Sequence, residues 1–249
     1  MAARKIAIFI PKGGVGKTTT AVNLAAALHI NHSKRVLLVD LDPQASATAF
    51  LGIDPEAGER NINNLLNDVG VQTTDVIAHT ESGVDLLPSH PDLAENIPGM
   101  KGPRYQLLRD ILEPVEENYD HIIIDSPPQE SGLTWNILGY AKEVVIPLEA
   151  HYLSARGLAD ALSKLEMAKG INPDLQIKGI LMTKVNPGVN IHKAYIEQIQ
   201  ENSPGLVFPF MIGLAVAHQE AASAGQPIIV YDPTHPGSIA YDQLAKEFL

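Results

Sequence analysis

Nine consecutive residues, Pro11-Lys12-Gly13-Gly14-Val15-Gly16-Lys17-Thr18-Thr19, bring glycines, two lysines and adjacent hydroxyls together. Glycines let a backbone approach an anion closely. Successive backbone N–H groups then cradle phosphate oxygens, a lysine neutralises their charge, and a Ser/Thr hydroxyl binds Mg²⁺. Gly13, Gly14, Val15 and Gly16 would form that cradle, with Lys17 as the cation and Thr18 as the metal-facing hydroxyl. The ordinary spacing, G-x-x-x-x-G-K-[ST], fails because Pro11 stands where its first glycine belongs. Lys12 is an additional cation five positions before Lys17. A lone G-x-G would be no more than a turn, and Lys12 by itself no more than a surface charge. Glycines, Lys17 and the threonines in register point to nucleotide phosphates.

Two apolar runs end in carboxylates. Val36-Leu37-Leu38-Val39 closes on Asp40, with Asp42-Pro43-Gln44 just beyond, and His121-Ile122-Ile123-Ile124 closes on Asp125-Ser126-Pro127-Pro128. Carboxylates at the C-terminal ends of parallel strands face the ligand crevice. Mg²⁺ keeps several waters and takes few protein carboxylates, so Asp125 reads as its holder, directly or through water. The competing readings are a turn former before Pro43 for Asp42, and a helix cap or turn residue before the prolines for Asp125.

The elements that must position these groups follow from periodicity. Lys5 to Ile10 is almost wholly apolar, as a buried parallel strand is, and Thr18 to Ile30 places Val22, Leu24, Ala25 and Leu28 at helical spacing. Strand, loop and helix are the context that a phosphate loop needs, because the helix start aims free N–H groups and a positive dipole end at the anion. Further strands are predicted at Val36–Asp40, Val84–Leu87, His121–Asp125, Glu143–Leu148 and Gln176–Thr183, with a short run at Gly205–Pro209. Helical patterns fall at 61–69, 105–117, 133–140, 154–169, 191–201, 215–224 and 238–249, with Pro103 before the second and Pro114 distorting its last turn. Strands alternating with helices predict an α/β fold, a mostly parallel twisted sheet covered by helices on both faces.

The 249 residues fit one large domain, 1–249, with 45% apolar residues for its core and no linker or repeat. No apolar run approaches the roughly 20 residues of a membrane span. The start runs directly into the first strand, so a cytoplasmic protein without a signal peptide is expected. The absence of cysteine excludes disulfides, thiolate zinc sites and iron–sulfur clusters. A net charge of −11 requires any nucleic-acid affinity to come from a local patch.

With the loop, Asp40-x-Asp42-Pro43-Gln44 and Asp125-Ser126-Pro127-Pro128 in order, the chain resembles the deviant Walker A P-loop ATPases, and within them the ParA-type partition ATPases. Ala47-Thr48, Gly157-Leu158, Glu220-Ala221, Gly225-Gln226-Pro227 and Tyr231-Asp232-Pro233 extend the resemblance through most of the chain. It implies ATP/ADP and Mg²⁺ as cofactors, and slow, partner-stimulated hydrolysis that positions or partitions a cargo. ATP would close a homodimer in which Lys12 of each subunit reaches the phosphates bound by the other. By the same resemblance Lys17 contacts β/γ oxygens, Thr18 and Asp125 serve the metal, Thr19 meets the α-phosphate, Asp40 lies near the metal shell, and Asp42 orients the attacking water. Adenine would be read near Thr183 to Asn186 and around Pro209. An adaptor of ParB type or a cargo adaptor is the implied partner.

The family's DNA contacts are arginines and lysines in the C-terminal third, including a basic run after the position of Pro209. This chain has Phe210-Met211-Ile212-Gly213 there, and no arginine after Arg156. Non-specific DNA as the carrier therefore rests on the resemblance, with a thin basis in charge. A patch shared by two subunits would draw on Lys164, Lys169, Lys184 and Lys193; a solvated mixed-charge surface is the alternative. MinD-like membrane ATPases are a second reading, but residues 238–249 set Ile239, Leu244, Phe248 and Leu249 against one lysine and two acids, which predicts packing on the body and no membrane contact. A third is a nucleotide-gated regulatory module that hardly hydrolyses. Electron-transfer relatives need bridging cysteines that are lacking.

Overall fold

Apolar runs bounded by turn residues form the strands β1 (Arg4–Ile8), β2 (Val36–Asp40), β3 (Ala78–His79), β4 (Asp85–Leu87), β5 (His121–Asp125), β6 (Glu143–Glu149), β7 (Gln176–Val185) and β8 (Val207–Gly213). They are seen in a computed structural model that describes residues 2–55, 60–93, 106–152 and 154–249. The strands make one sheet in the order β3-β4-β2-β5-β1-β6-β7-β8, in which every pairing is parallel except that of β3 with β4. β3 has two residues, too few to leave a periodicity in the sequence.

Central strands bury both faces, and their alternation sorts side chains into two cores. In β5, Ile122 and Ile124 face one core with Leu37 and Val39 of β2, while Ile123 faces the other with Leu38. The first core is closed by α4 (Leu107–Leu112), α5 (Gly132–Tyr140) and α6 (Ser154–Ala168). The second is closed by α1 (Lys17–His32) and the C-terminal helix, α10 (Pro236–Lys246), through Leu24, Leu28, Tyr241 and Leu244. Phe248 and Leu244 are buried, as expected of a tail packed on the body, whereas Ile239 and Leu249 are exposed. Among the described residues no helix is long and apolar enough to cross a membrane.

The remaining α-helices among the described residues are α2 (Ser46–Phe50), α3 (Ile62–Asn67), α7 (Asn190–Asn202), α8 (Ala217–Ser223) and α9 (Ile228–Tyr231). α3 starts on a reciprocal cap, Asn61 accepting from the Asn63 N–H while the Asn64 side chain accepts from the Asn61 N–H. The helix expected over 105–117 ends at Leu112, two residues before Pro114, and gives way to a 3₁₀ turn at Glu116–Asn118. Pro103 and Tyr105 lie outside the described residues. β8 runs four residues past Pro209, where the sequence suggested a stop. It is an edge strand, so a proline without an N–H costs the ladder nothing on its open side.

Asn23 ties the start of α1 to the distant chain. Its amide donates to Thr19 O (2.7 Å) at the cavity edge, and its Oδ1 accepts from the Ile228 N–H (2.7 Å) in the interior. Asn23→Ala leaves that N–H unsatisfied and is predicted to cost about 1–3 kcal/mol, read as a lower denaturant midpoint at unchanged slope.

Candidate functional site

The loop between β1 and α1 takes its shape from left-handed backbone at Gly14 (φ 75°) and Gly16 (φ 89°). A side chain on Gly14 would meet no atom within 4 Å, so the demand there is conformational. Gly16 is the N-cap of α1 and contributes no capping side chain, leaving the first N–H groups of the helix for an anion. Lys17 is buried and donates to Lys12 O at 2.7 Å. Burial pulls its ammonium below the ordinary value, against the opposing pull of Asp125 and Asp42. The loop is gripped from β7: Thr183 Oγ1 donates to Val15 O (2.8 Å) and Lys184 Nζ to Gly14 O (2.5 Å). Sequence reasoning placed these two residues near a base and missed that they hold the loop, because about 170 positions separate the partners.

β1, β2 and β5 end level with one another: Ile8 pairs with Asp125, and Asp125 with Asp40. Neighbours in a parallel ladder share a face, so both carboxylates lie on the side of the sheet that α1 covers. Their partners differ. Asp40 Oδ2 accepts from Thr48 N (2.9 Å) and Thr48 Oγ1 (2.8 Å), and Oδ1 from Asp42 N (3.1 Å). Burial nevertheless pushes its pKa up to about 6. Asp125 is fully buried, and neither of its oxygens completes a hydrogen bond among the described residues. Burial, then repulsion from Asp40, raise its pKa well above the usual range; the nearby Thr18 hydroxyl and Lys17 act the other way. An orphaned buried carboxylate beside a threonine hydroxyl is a donor set that suits Mg²⁺, directly or through water. Asp40, expected near the metal shell, stands beside Asp125 in the ladder with its oxygens engaged by Thr48 and Asp42, so it anchors the Asp42 turn.

A cavity of about 720 Å³, within the roughly 300–1,000 Å³ typical of small-molecule sites, opens over the loop and Asp42; Asp40 and Asp125 do not line it. Gly13, Gly14, Gly16, Lys17, Thr18, Thr19 and Asp42 line one part of it; Thr183, Lys184 and the stretch Ile212–Ala215 line another. Phe50, His218 and Tyr241 also reach it. Asp42 is held by Gln44 N donating to its Oδ1 (3.0 Å). Pro209, expected near the base, is exposed in the middle of β8 and is not among the residues that line the cavity. The crevice of a parallel sheet lies at the carboxyl ends of its strands, so the wall on β8 begins at Ile212. Lys12 also stays off its own cavity. Its side chain lies against α6, with Cδ 3.7 Å from where a Cβ on Gly157 would be, and it makes no ion pair among the described residues.

The AAA domain family matches residues 3–177. The sporulation initiation inhibitor protein Soj of Bacillus subtilis is 41% identical over 97% of this chain and 96% of its own length. The chromosome-partitioning ATPase Soj of Thermus thermophilus is 40% identical over 99% and 95%. The chain belongs to the ParA/Soj family of partition ATPases. A solved structure of cobyrinic acid a,c-diamide synthase from Mycobacterium smegmatis, with bound ADP and magnesium, is similar to this ParA-type chain at a TM-score of 0.84 and 31% identity, covering 98% of this chain and 93% of that one.

The basic residues offered for a shared patch are mostly occupied in this family member. Lys164 pairs with Asp160 (2.8 Å) and Glu130 (3.1 Å), Lys169 with Glu166 (2.8 Å), and Lys184 holds the loop. Lys178 and Lys246 are paired as well, with Glu247 and Asp242. Of the four, only Lys193 makes neither an ion pair nor a side-chain hydrogen bond among the described residues.

Asp125→Asn replaces a buried carboxyl group, whose oxygens complete no hydrogen bond among the described residues, with a neutral amide. The nucleotide-free protein is predicted to melt at a higher temperature, while the tightening of nucleotide binding by Mg²⁺ falls by roughly 10–100-fold, both measurable by calorimetry.

Proposed function

We propose that this chain is an ATP-driven switch: ATP and Mg²⁺ close a homodimer, an adaptor stimulates hydrolysis, and ADP releases the subunits, so that a cargo is positioned or partitioned. Membership in the ParA/Soj family supports the activity. The observation that carries the dimer is Lys12, a cation that makes no ion pair among the described residues and lies at the edge of the phosphate cradle, off its own cavity and against α6.

On this reading Gly13 to Gly16 wrap the β-phosphate with backbone N–H groups, Lys17 turns from the Lys12 carbonyl to β/γ oxygens, and Thr19 meets the α-phosphate. Thr18 and Asp125 would hold Mg²⁺, which would supply positive charge to the phosphates. Asp42 aligns the attacking water from the turn that Asp40 anchors. Lys12 enters the other subunit's pocket and stabilises charge at the transferring phosphoryl group, as an arginine finger does. Phosphoryl transfer gains mainly from positioning, so turnover is slow until an adaptor orders these groups. Thr183, Lys184 and the stretch Ile212–Ala215 take the base.

Non-specific DNA is the carrier that the family suggests. The paired lysines favour a second reading, in which the switch is the same and the carrier is a protein surface. An acidic chain whose C-terminal lysines are mostly paired among the described residues releases few counterions on DNA through that part.

Size-exclusion chromatography with ADP, ATP and a non-hydrolysable analogue, with and without duplex DNA, tests both parts. A dimer with ATP and with the analogue, and a monomer with ADP, is the predicted result; one unchanging species contradicts the switch. Co-elution with DNA is predicted to be weak even at about 50 mM salt, with a shallow salt slope.

A further inference from the structure

We propose that Ser89 and Thr48 are positioning residues for hydrolysis: a clasp from the end of β4 that fixes the Asp42 turn, and with it the water-aligning carboxylate, against the phosphate cradle. The proposal rests on the reading of Asp42 given above.

The clasp is a closed circuit of hydrogen bonds. Ser89 Oγ donates to Asp42 O at 2.7 Å, and the same carbonyl accepts from Ala45 N at 2.8 Å. Ser89 N donates to Thr48 Oγ1 (3.0 Å), which donates onward to Asp40 Oδ2 (2.8 Å). Asp40 returns to the turn by accepting from Asp42 N at 3.1 Å. Asp42 is therefore held at its N–H by Asp40 and at its carbonyl by Ser89, on both sides of the carbon that carries its carboxylate. Ser89, Thr48 and Asp40 are each 0% exposed, so no water competes for these bonds.

The turn needs such a hold. Ala45, three residues after Asp42, sits at φ 49° and ψ 37°, a left-handed conformation that a residue with a Cβ avoids unless its surroundings impose it. Strain of this kind beside a reacting group keeps a carboxylate in one position. A side chain in water would sample many positions, and positional precision is what phosphoryl transfer rewards. Neither Ser89 nor Thr48 lines the cavity, so their effect on the reaction must pass through the turn.

Single-turnover hydrolysis and ATP affinity, measured for wild type, Ser89→Ala, Thr48→Val, Thr48→Ser and Asp42→Ala, test the clasp. Ser89→Ala and Thr48→Val are predicted to slow hydrolysis roughly tenfold or more while ATP affinity stays within about twofold, and Thr48→Ser, which keeps the hydroxyl, to remain near wild type. Wild-type hydrolysis in both Ser89→Ala and Thr48→Val, with Asp42→Ala inactive, overturns the clasp and leaves the role of Asp42 standing. Rates that fall only in parallel with ATP affinity also overturn it, because they report damage to the cradle. Wild-type hydrolysis in Asp42→Ala overturns the role of Asp42 and the clasp together. Should Ser89→Ala fail to fold, the contrast between Thr48→Val and Thr48→Ser decides between the same outcomes.

Discussion

Three parallel strands that end level with one another set two carboxylates side by side in the interior, and the rest of the site answers that placement. Ladder pairing puts Asp40 and Asp125 on one face of the sheet, under the start of α1. Two buried negative charges repel, and burial penalises each, so both resist ionisation. The protein resolves the two unequally. Three donors satisfy Asp40 and make it a structural anchor, while Asp125 is left with only the buried Lys17 and the Thr18 hydroxyl nearby to favour its charge. That arrangement would suit a divalent cation, whose charge would offset the bare carboxylate.

The cationic side of the site is divided in the same way. Lys17 is buried beneath the loop and held by a loop carbonyl, whereas Lys12, five residues earlier, leans on α6. Two lysines of one loop thus serve different spaces, one the chain's own cavity and the other the surface beside it. Thr183 and Lys184 brace the loop from across the sheet, so its left-handed glycines have one arrangement to adopt. A loop braced before its ligand arrives loses little conformational freedom on binding.

Much of this was legible in the sequence, for physical reasons. Ile122, Ile123 and Ile124 read as a buried strand because both faces of a central parallel strand are apolar, and Gly14 and Gly16 read as a cradle because only that backbone fits it. What could not be read depended on partners far along the chain. Asp40 and Asp125 look alike at the ends of two apolar runs, and what separates them is Thr48, which turns back to one and leaves the other bare. The short apolar run suggested a strand end at Pro209, but on an open sheet edge a proline is an ordinary strand residue, and β8 continues to Gly213 with Ile212 in the cavity wall. Lys164 and Lys169 looked available for a partner until helical neighbours and Glu130 were seen to occupy them.

The claim on which the account turns is that Lys12 acts on the other subunit's nucleotide. Mixing a Lys12→Ala protein with an Asp42→Ala protein tests it most directly. In the mixed dimer the pocket that keeps Asp42 receives Lys12 from its neighbour, so ATP hydrolysis is predicted to reappear on mixing two inactive proteins. If the mixture exchanges subunits and stays as inactive as its components, Lys12 serves its own pocket and the account is contradicted.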